Sequence, residues 1–234
     1  MKITAIHQPN YLPWIGFFSK VKHCNCLILT DIHPFTRRSI THRNKIRTKE
    51  GWSYLTVPIN NKFNNLRICD VEMPVDKTWK RVHWQSIFYH YKKAKFFDIY
   101  QSFFEKLYQS DFKYLSQLNQ EIILYVLKCL KISVPVIIAS ELNVAPELHK
   151  TDLLIALLKR VGTDIYLSGP SGRNYMEIDQ FPQNNIGLKY FKFQHPIYQQ
   201  RYPGFEPEMA AIDPLFNLGP QATEIIDAAG SIED

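Results

Sequence analysis

The spacing of apolar and polar positions changes character twice along the chain. Lys2–Ile6 alternates toward an apolar strand that ends at His7, and Pro9 and Pro13 mark a loop before a short helix over Trp14–Val21. Cys26–Leu29 reads as a second short strand, ending at Thr30-Asp31. Arg37–Lys49 is basic and polar and follows neither period. Trp52–Ile59 alternates again, with Leu55, Val57 and Ile59 against Tyr54, Thr56 and Pro58, and Glu50-Gly51 supplies the turn before it. The middle of the chain then turns helical. Trp84, Ile87, Phe88 and Tyr91 recur at helical spacing, Phe103 and Leu107 continue the pattern, and Leu115, Leu118, Ile122, Tyr125 and Cys129 form a longer stripe with Asp111 as an upstream N-cap.

Beyond residue 131 the pattern becomes that of a parallel crossover. Val134–Ala139 has the uninterrupted apolar character of a strand buried on both faces. Thr151 is expected to cap a helix that buries Leu154, Leu157, Leu158 and Val161, and Gly162 to stop it. Asp164–Leu167 is the next strand, running into Ser168-Gly169-Pro170-Ser171-Gly172. Strand, helix, strand and glycine-rich loop in that order predict an α/β fold: a mostly parallel sheet carrying a helical insertion at about residues 77–131, in one domain. The last ~15 residues are expected to be loosely held, as chain ends often are.

Ligands of parallel sheets sit at the carboxyl ends of strands. Three predicted ends carry polar residues: His7-Gln8, Thr30-Asp31 and Ser168-Gly169. His7 is followed by a proline-fixed loop and a helix start, which sets an imidazole and backbone N–H groups at one anion-ready spot. The glycines of Ser168–Gly172 let backbone approach a ligand, although the Lys-Ser/Thr ending of a Walker loop is absent. Arg37–Arg47 holds five cations in eleven residues, among them Arg38, Arg43 and Arg47. Such a segment suits phosphate clamping, nucleic-acid binding or simple solvation. His195 and Tyr198 are further acid–base candidates, and Asp213, one carboxylate among apolar residues, is placed to pair with a buried arginine or cap a helix.

Charge sharpens this picture. The chain of 234 residues has 28 bases against 22 acids, but all seven acids after Arg201 face no base, so residues 1–201 hold 28 bases and 15 acids. A surface of that sign attracts nucleotides, phosphorylated sugars, nucleic acid or anionic membrane. No run approaches the ~20 apolar residues of a membrane span, and Met1–Ile6 leads straight into His7-Gln8-Pro9 with no apolar leader, so a soluble cytoplasmic protein is expected. Cys24 and Cys26 form a pair with no partner set at zinc spacing, which predicts reduced thiols and no metal site. Ser-His-Asp order, HExxH and GxGxxG are all absent, so a serine protease, zinc hydrolase or dinucleotide dehydrogenase has no support.

Taken together, these clusters resemble the WbqC-like family of bacterial proteins. The resemblance is carried by His7-Gln8-Pro9-Asn10-Tyr11-Leu12-Pro13-Trp14-Ile15-Gly16-Phe17-Phe18, by Arg43 with Asn44-Lys45-Ile46, by Gly51-Trp52 through Leu55-Thr56-Val57-Pro58, by Tyr166-Leu167-Ser168-Gly169, by His195-Pro196 with Tyr198-Gln199, and by Ile212-Asp213 with Phe216-Asn217. It implies a role beside enzymes of O-antigen and other surface polysaccharides, some of whose amino sugars carry an acyl or aminoacyl group on the amine. It therefore implies an acyl or aminoacyl transferase, or an ATP-dependent amide ligase, acting on a nucleotide-linked amino sugar. His7 would be the base, with His195 second and Asp213 in support. Gln8, Asn10, Tyr11, Trp14, Asp31, Asn44, Ser168, Gly169 and Tyr198 would line the substrate site, and Arg38, Arg43 and Arg47 would hold the pyrophosphate. Acyl-CoA, ATP with a carboxylic acid, and aminoacyl-tRNA all remain open as donors. The chain departs from the family pattern at His33, where a glutamine is usual, and at Pro214, inside a usually apolar run. A partial likeness to the nucleotidyltransferase superfamily stops at Trp14-Ile15-Gly16-Phe17, where both histidines of its His-x-Gly-His are missing. The alternative from another class is a non-catalytic nucleic-acid-binding or polysaccharide-assembly protein.

Overall fold

The computed structural model describes residues 1–233. In chain order the elements are β1 (Ile3–His7), α1 (Ile15–Lys22), β2 (Cys26–Leu29), β3 (Arg43–Thr48), β4 (Gly51–Thr56), α2 (Thr78–Tyr91), α3 (Phe97–Gln109), α4 (Leu115–Cys129), β5 (Val136–Ile138), α5 (Lys150–Arg160), β6 (Ile165–Ser168), α6 (Gln180–Gln183), β7 (Gly187–Phe193), α7 (Ile212–Leu218), α8 (Ala222–Asp227) and β8 (Gly230–Glu233). Six strands form one sheet in the order β5-β2-β1-β6-β7-β8, parallel except for β8, which pairs antiparallel with β7. The α/β class and the helical insertion are as the periodicity predicts.

Strand alternation divides the core between two faces. Ala5, Leu27, Leu29, Leu167 and Phe191 pack with α1 and the helical insertion. Ile6, Ile28, Tyr166 and Tyr190 pack with α5 and Phe181 of α6. Because both faces are covered, β2 and β6 are buried at every position, which is why their sequences run apolar rather than alternating. The insertion also packs against α7. Phe216 lies 5.1 Å from the rings of both Tyr91 and Phe97, and its carbonyl accepts from the Phe96 N–H. Gly219 ends α7 at φ 58°, where a Cβ would meet the Phe96 ring at 2.5 Å.

Several local expectations change. The irregular segment before Lys49 contains β3, which pairs with β4 in a hairpin from Arg43↔Thr56 to Thr48↔Gly51. Its cations sit over the partner strand's rings: Arg43 over Tyr54 at 4.4 Å and Lys45 over Trp52 at 4.9 Å. Thr151 does not cap α5; His149 occupies that position, and the Thr151 hydroxyl accepts from the Glu177 N–H instead. Asp111 caps nothing and ion-pairs with Lys77 and Lys80, while Gln117 Oε1 accepts the Tyr114 N–H at the start of α4. The C-terminal stretch is not loose. β8 closes the sheet edge, and the Ser19 hydroxyl donates to the Ile226 carbonyl to tie α8 to α1.

Candidate functional site

From the central β1 the chain first builds outward through β2 and β5, then crosses back to β6 and continues to β7. The strand order therefore reverses between β1 and β6, and the loops leaving their carboxyl ends diverge and open a crevice. Two cavities lie there. One, about 410 Å³, is lined by His7, Trp14, Gly16, Phe17, Lys20, Gly169, Pro170, Phe191, Phe193, His195, Pro207 and Glu208. The other, about 240 Å³, is lined by His7, Gln8, Asn10, Thr30, His33, Ile40, Leu154, Tyr166 and Tyr175 with Ile6. His7 belongs to both.

Its position follows from strand alternation. As the last residue of β1, His7 projects to the same face as Ala5 and meets Phe17 of α1 with 4.4 Å between ring centres. Burial, and secondarily the charge of Lys20, hold its pKa well below 6.5, so the ring is neutral at pH 7. Its Nε2 is buried without a hydrogen-bond partner. A buried polar nitrogen left open in this way loses its hydration on folding, a cost that a bound ligand can offset. Asn10 Oδ1, in the smaller cavity, is a second buried atom without a partner.

The other candidate residues divide into cleft and scaffold. Trp14 stands at the start of α1 in the larger cavity, edge-on to Phe193 at 4.8 Å and stacked on His195 at 6.3 Å. Gly169 lines that cavity with open space where a Cβ would stand. His195 lines it too, but both ring nitrogens are engaged: Nδ1–H donates to the Pro196 carbonyl at 2.9 Å and Nε2 accepts the Glu208 N–H at 2.9 Å. Gln8 lies in the smaller cavity. Ser168 ends β6, its hydroxyl turned to the Gly169 carbonyl at 3.1 Å. Arg38 is exposed and lines neither cavity, although Ile40, two residues on, lines the smaller one.

The remaining candidates hold the fold. The Arg47 guanidinium is buried and donates to the carbonyls of Thr48, Gly51 and Pro203 and to Gln200 Oε1. It is not free to hold a pyrophosphate. Asp213 is fully buried and accepts from the hydroxyls of Tyr91 and Tyr198 and from Gln200 Nε2, so it and Tyr198 lie in this scaffold and line neither crevice cavity. Burial raises the Asp213 carboxyl to about 6, against those three donors and the nearby Arg47 charge. Asp31 accepts from the Ser140 N–H and hydroxyl at the end of β5. Asn44 donates to the Leu12 carbonyl and so fastens the hairpin to the loop after β1. Tyr11 donates to His83 Nδ1, whose Nε2–H donates to Thr56, and accepts from Tyr108.

Lys20, Phe191 and Phe193 line the larger cavity although the sequence reading does not single them out, and Tyr166 of the smaller cavity is read only as part of the Asp164–Leu167 strand. Lys20 had a readable signal: a lysine inside the apolar run of Trp14–Val21. A further cavity of about 510 Å³ lies along the same sheet edge beyond β2 and β5, and His33 lines both it and the smaller crevice cavity.

This architecture defines an α/β protein with a crevice at a strand-order reversal, outside the carboxyl ends of its strands. The chain belongs to the WbqC-like protein family, whose model matches residues 8–225. It is also similar to Rv1507c, an uncharacterized protein of Mycobacterium tuberculosis (strain ATCC 25618 / H37Rv), at 30% identity over 232 residues, covering 97% of this chain and 98% of that protein. No solved structure matches it. Among the described residues, no helix is long and apolar enough to cross a membrane.

Proposed function

We propose that the protein is an enzyme of surface-polysaccharide (O-antigen) sugar biosynthesis that transfers an acyl or aminoacyl group to the amine of a nucleotide-linked amino sugar. The observation that carries this reading is the neutral imidazole of His7, which lines both crevice cavities and whose buried Nε2 has no hydrogen-bond partner. A base between two cavities suits a reaction between two bound molecules, because fixing both in reach turns a bimolecular step into a local one. The amine nitrogen bonds to the acyl carbon, the donor's leaving group departs with its electron pair, and His7 takes the amine proton. Backbone N–H groups near Gly169 and Gln8 are the donors offered to the tetrahedral oxyanion. Of Arg38, Arg43 and Arg47, the last is consumed in the scaffold, and Arg38 and Arg43 are the two that would meet the sugar's diphosphate.

The test is a thermal-shift panel of UDP- and dTDP-linked amino sugars, with CoA thioesters, ATP and short RNA, followed by mass measurement of any sugar product. Stabilisation by an amino-sugar nucleotide and a mass gain on its amine support the reading; neither effect with any amino sugar counts against it. A non-catalytic nucleic-acid-binding role is favoured by one observation. Trp52 and Tyr54 are exposed on the hairpin and each carries a cation, a surface suited to stacked bases. Stabilisation by RNA alone, lost in Trp52→Ala, would select that role.

A further inference from the structure

Lys20 is the charged group of the crevice that the proposed chemistry does not use. It lies on α1, is 4% exposed, and lines the 410 Å³ cavity beside His7. Among the described residues no carboxylate pairs with it, and no hydrogen bond to its ammonium is present. Buried lysines are ordinarily paired, because an ammonium taken out of water without a counter-charge costs several kcal/mol. The walls around this one are Trp14, Phe17, Pro170, Phe191 and Phe193, which supply no counter-charge. Cys24, just past the end of α1, does not supply it either: burial pushes its thiol up to about 12, and its Sγ donates to the Lys20 carbonyl. Glu208, at the same cavity, is committed to Lys45. His195 is held by two backbone groups.

We infer that the 410 Å³ cavity binds a small carboxylic acid with an apolar or aromatic body, its carboxylate held by the Lys20 ammonium and its body packed between Trp14, Phe17 and Phe193. One cation calls for one negative charge, which fits a carboxylate better than a diphosphate. Aromatic and proline walls suit a hydrocarbon body rather than a sugar. Burial lowers the Lys20 pKa to about 8, so the ammonium is still largely charged at neutral pH and gains most from an anion there. The inference rests on the proposed function only in making this acid the acyl donor's acid part, which would select ATP with a carboxylic acid among the donors left open. A cavity that binds carboxylates while no amine is acylated would keep this inference and remove that reading.

The experiment compares phenylacetate and hexanoate with their uncharged amides, phenylacetamide and hexanamide, by isothermal titration and thermal shift on the whole chain. Wild-type protein should bind each acid at least roughly tenfold more tightly than its amide, since only the acid makes a charge-assisted contact. In Lys20→Met that preference should vanish while the melting temperature does not fall, because the variant removes a buried charge without changing length. Equal binding of acid and amide by wild-type protein would overturn the inference, as would no binding of either or an undiminished preference in Lys20→Met. The wild-type comparison stands even if the variant fails to fold.

Discussion

Replacing Arg47 by methionine tests the division between scaffold and cleft. The side chain is buried and its guanidinium makes four hydrogen bonds, at 2.6 Å to the carbonyls of Gly51 and Pro203, 2.7 Å to Thr48 and 3.2 Å to Gln200. These join both strands of the hairpin to the segment between β7 and α7. Methionine fills similar space but takes one donor from each of three carbonyls and removes the Arg47 charge that acts on Asp213. Removing one partner of a buried charged network costs about 3–5 kcal/mol. For a chain of this length each kcal/mol shifts melting by about 2–4 °C, so the midpoint should fall by roughly 6–20 °C. Lysine should recover little of this, because a point charge cannot span the fork. Scanning fluorimetry gives the midpoint, and ligand titration well below it gives the affinity. The account expects a large stability loss with ligand affinity retained. A midpoint within a degree or two of the parent, together with lost nucleotide-sugar binding, would put Arg47 in the ligand site and refute the assignment.

Other consequences follow from the same contacts. His83, held at about 4 by burial, stays neutral in the fold where the unfolded chain protonates near 6.5. Its contribution is therefore whole above pH 6.5 and falls by about 2 kcal/mol on reaching pH 5, which urea titrations at pH 7 and 5 will show as a gap narrowed in His83→Gln. Asp213 works in the opposite direction, because its raised carboxyl takes up a proton in the fold as pH drops through about 6. Asp213→Asn should accordingly steepen the acid loss, and parallel profiles for parent and variant would be inconsistent with the raised carboxyl. At Gly169 the backbone angles are ordinary and nothing stands within 4 Å of an added Cβ. Gly169→Phe should melt near the parent while losing ligands of the larger cavity; unchanged binding would show that the cavity is not used. Phe216→Ala should cost about 3–5 kcal/mol, since its fully buried ring joins α7 to the helical insertion.

Much of this fold was legible because its strands obey simple patterns. Cys26–Leu29 and Ile165–Leu167 run apolar because helices cover both faces, and α4 shows its stripe because one side packs on the core. β3 was illegible for a physical reason. Arg43 and Lys45 alternate with buried Asn44 and Ile46, but Arg47 is buried next to Ile46, and the polar groups of Asn44 and Arg47 are satisfied by bonds that no periodicity reveals. β8 was lost because an edge strand of four residues, GSIE, has too few side chains to show a period. In the candidate site, His7, Gln8 and Gly169 could be read from strand ends, and Trp14 from the family resemblance. Lys20 shows in the sequence only as a lysine inside an apolar run; that it lines the larger cavity is visible only in the fold. Sequence also cannot separate a ligand arginine from a scaffold arginine: Arg38 and Arg47 look alike in one basic run, yet one is exposed and the other spends its donors on carbonyls.

The central claim is that His7 is the proton acceptor between two substrates. Its most direct test is a single-turnover rate for acylation of a nucleotide-linked amino sugar by the parent and by His7→Gln, with sugar binding measured alongside. Removing a general base should lower the rate by about 10²–10⁴-fold. The account predicts a loss in that range with sugar affinity unchanged, and a parent rate that persists below pH 6.5, because burial keeps the imidazole neutral there. A His7→Gln enzyme that turns over within a few-fold of the parent would contradict it.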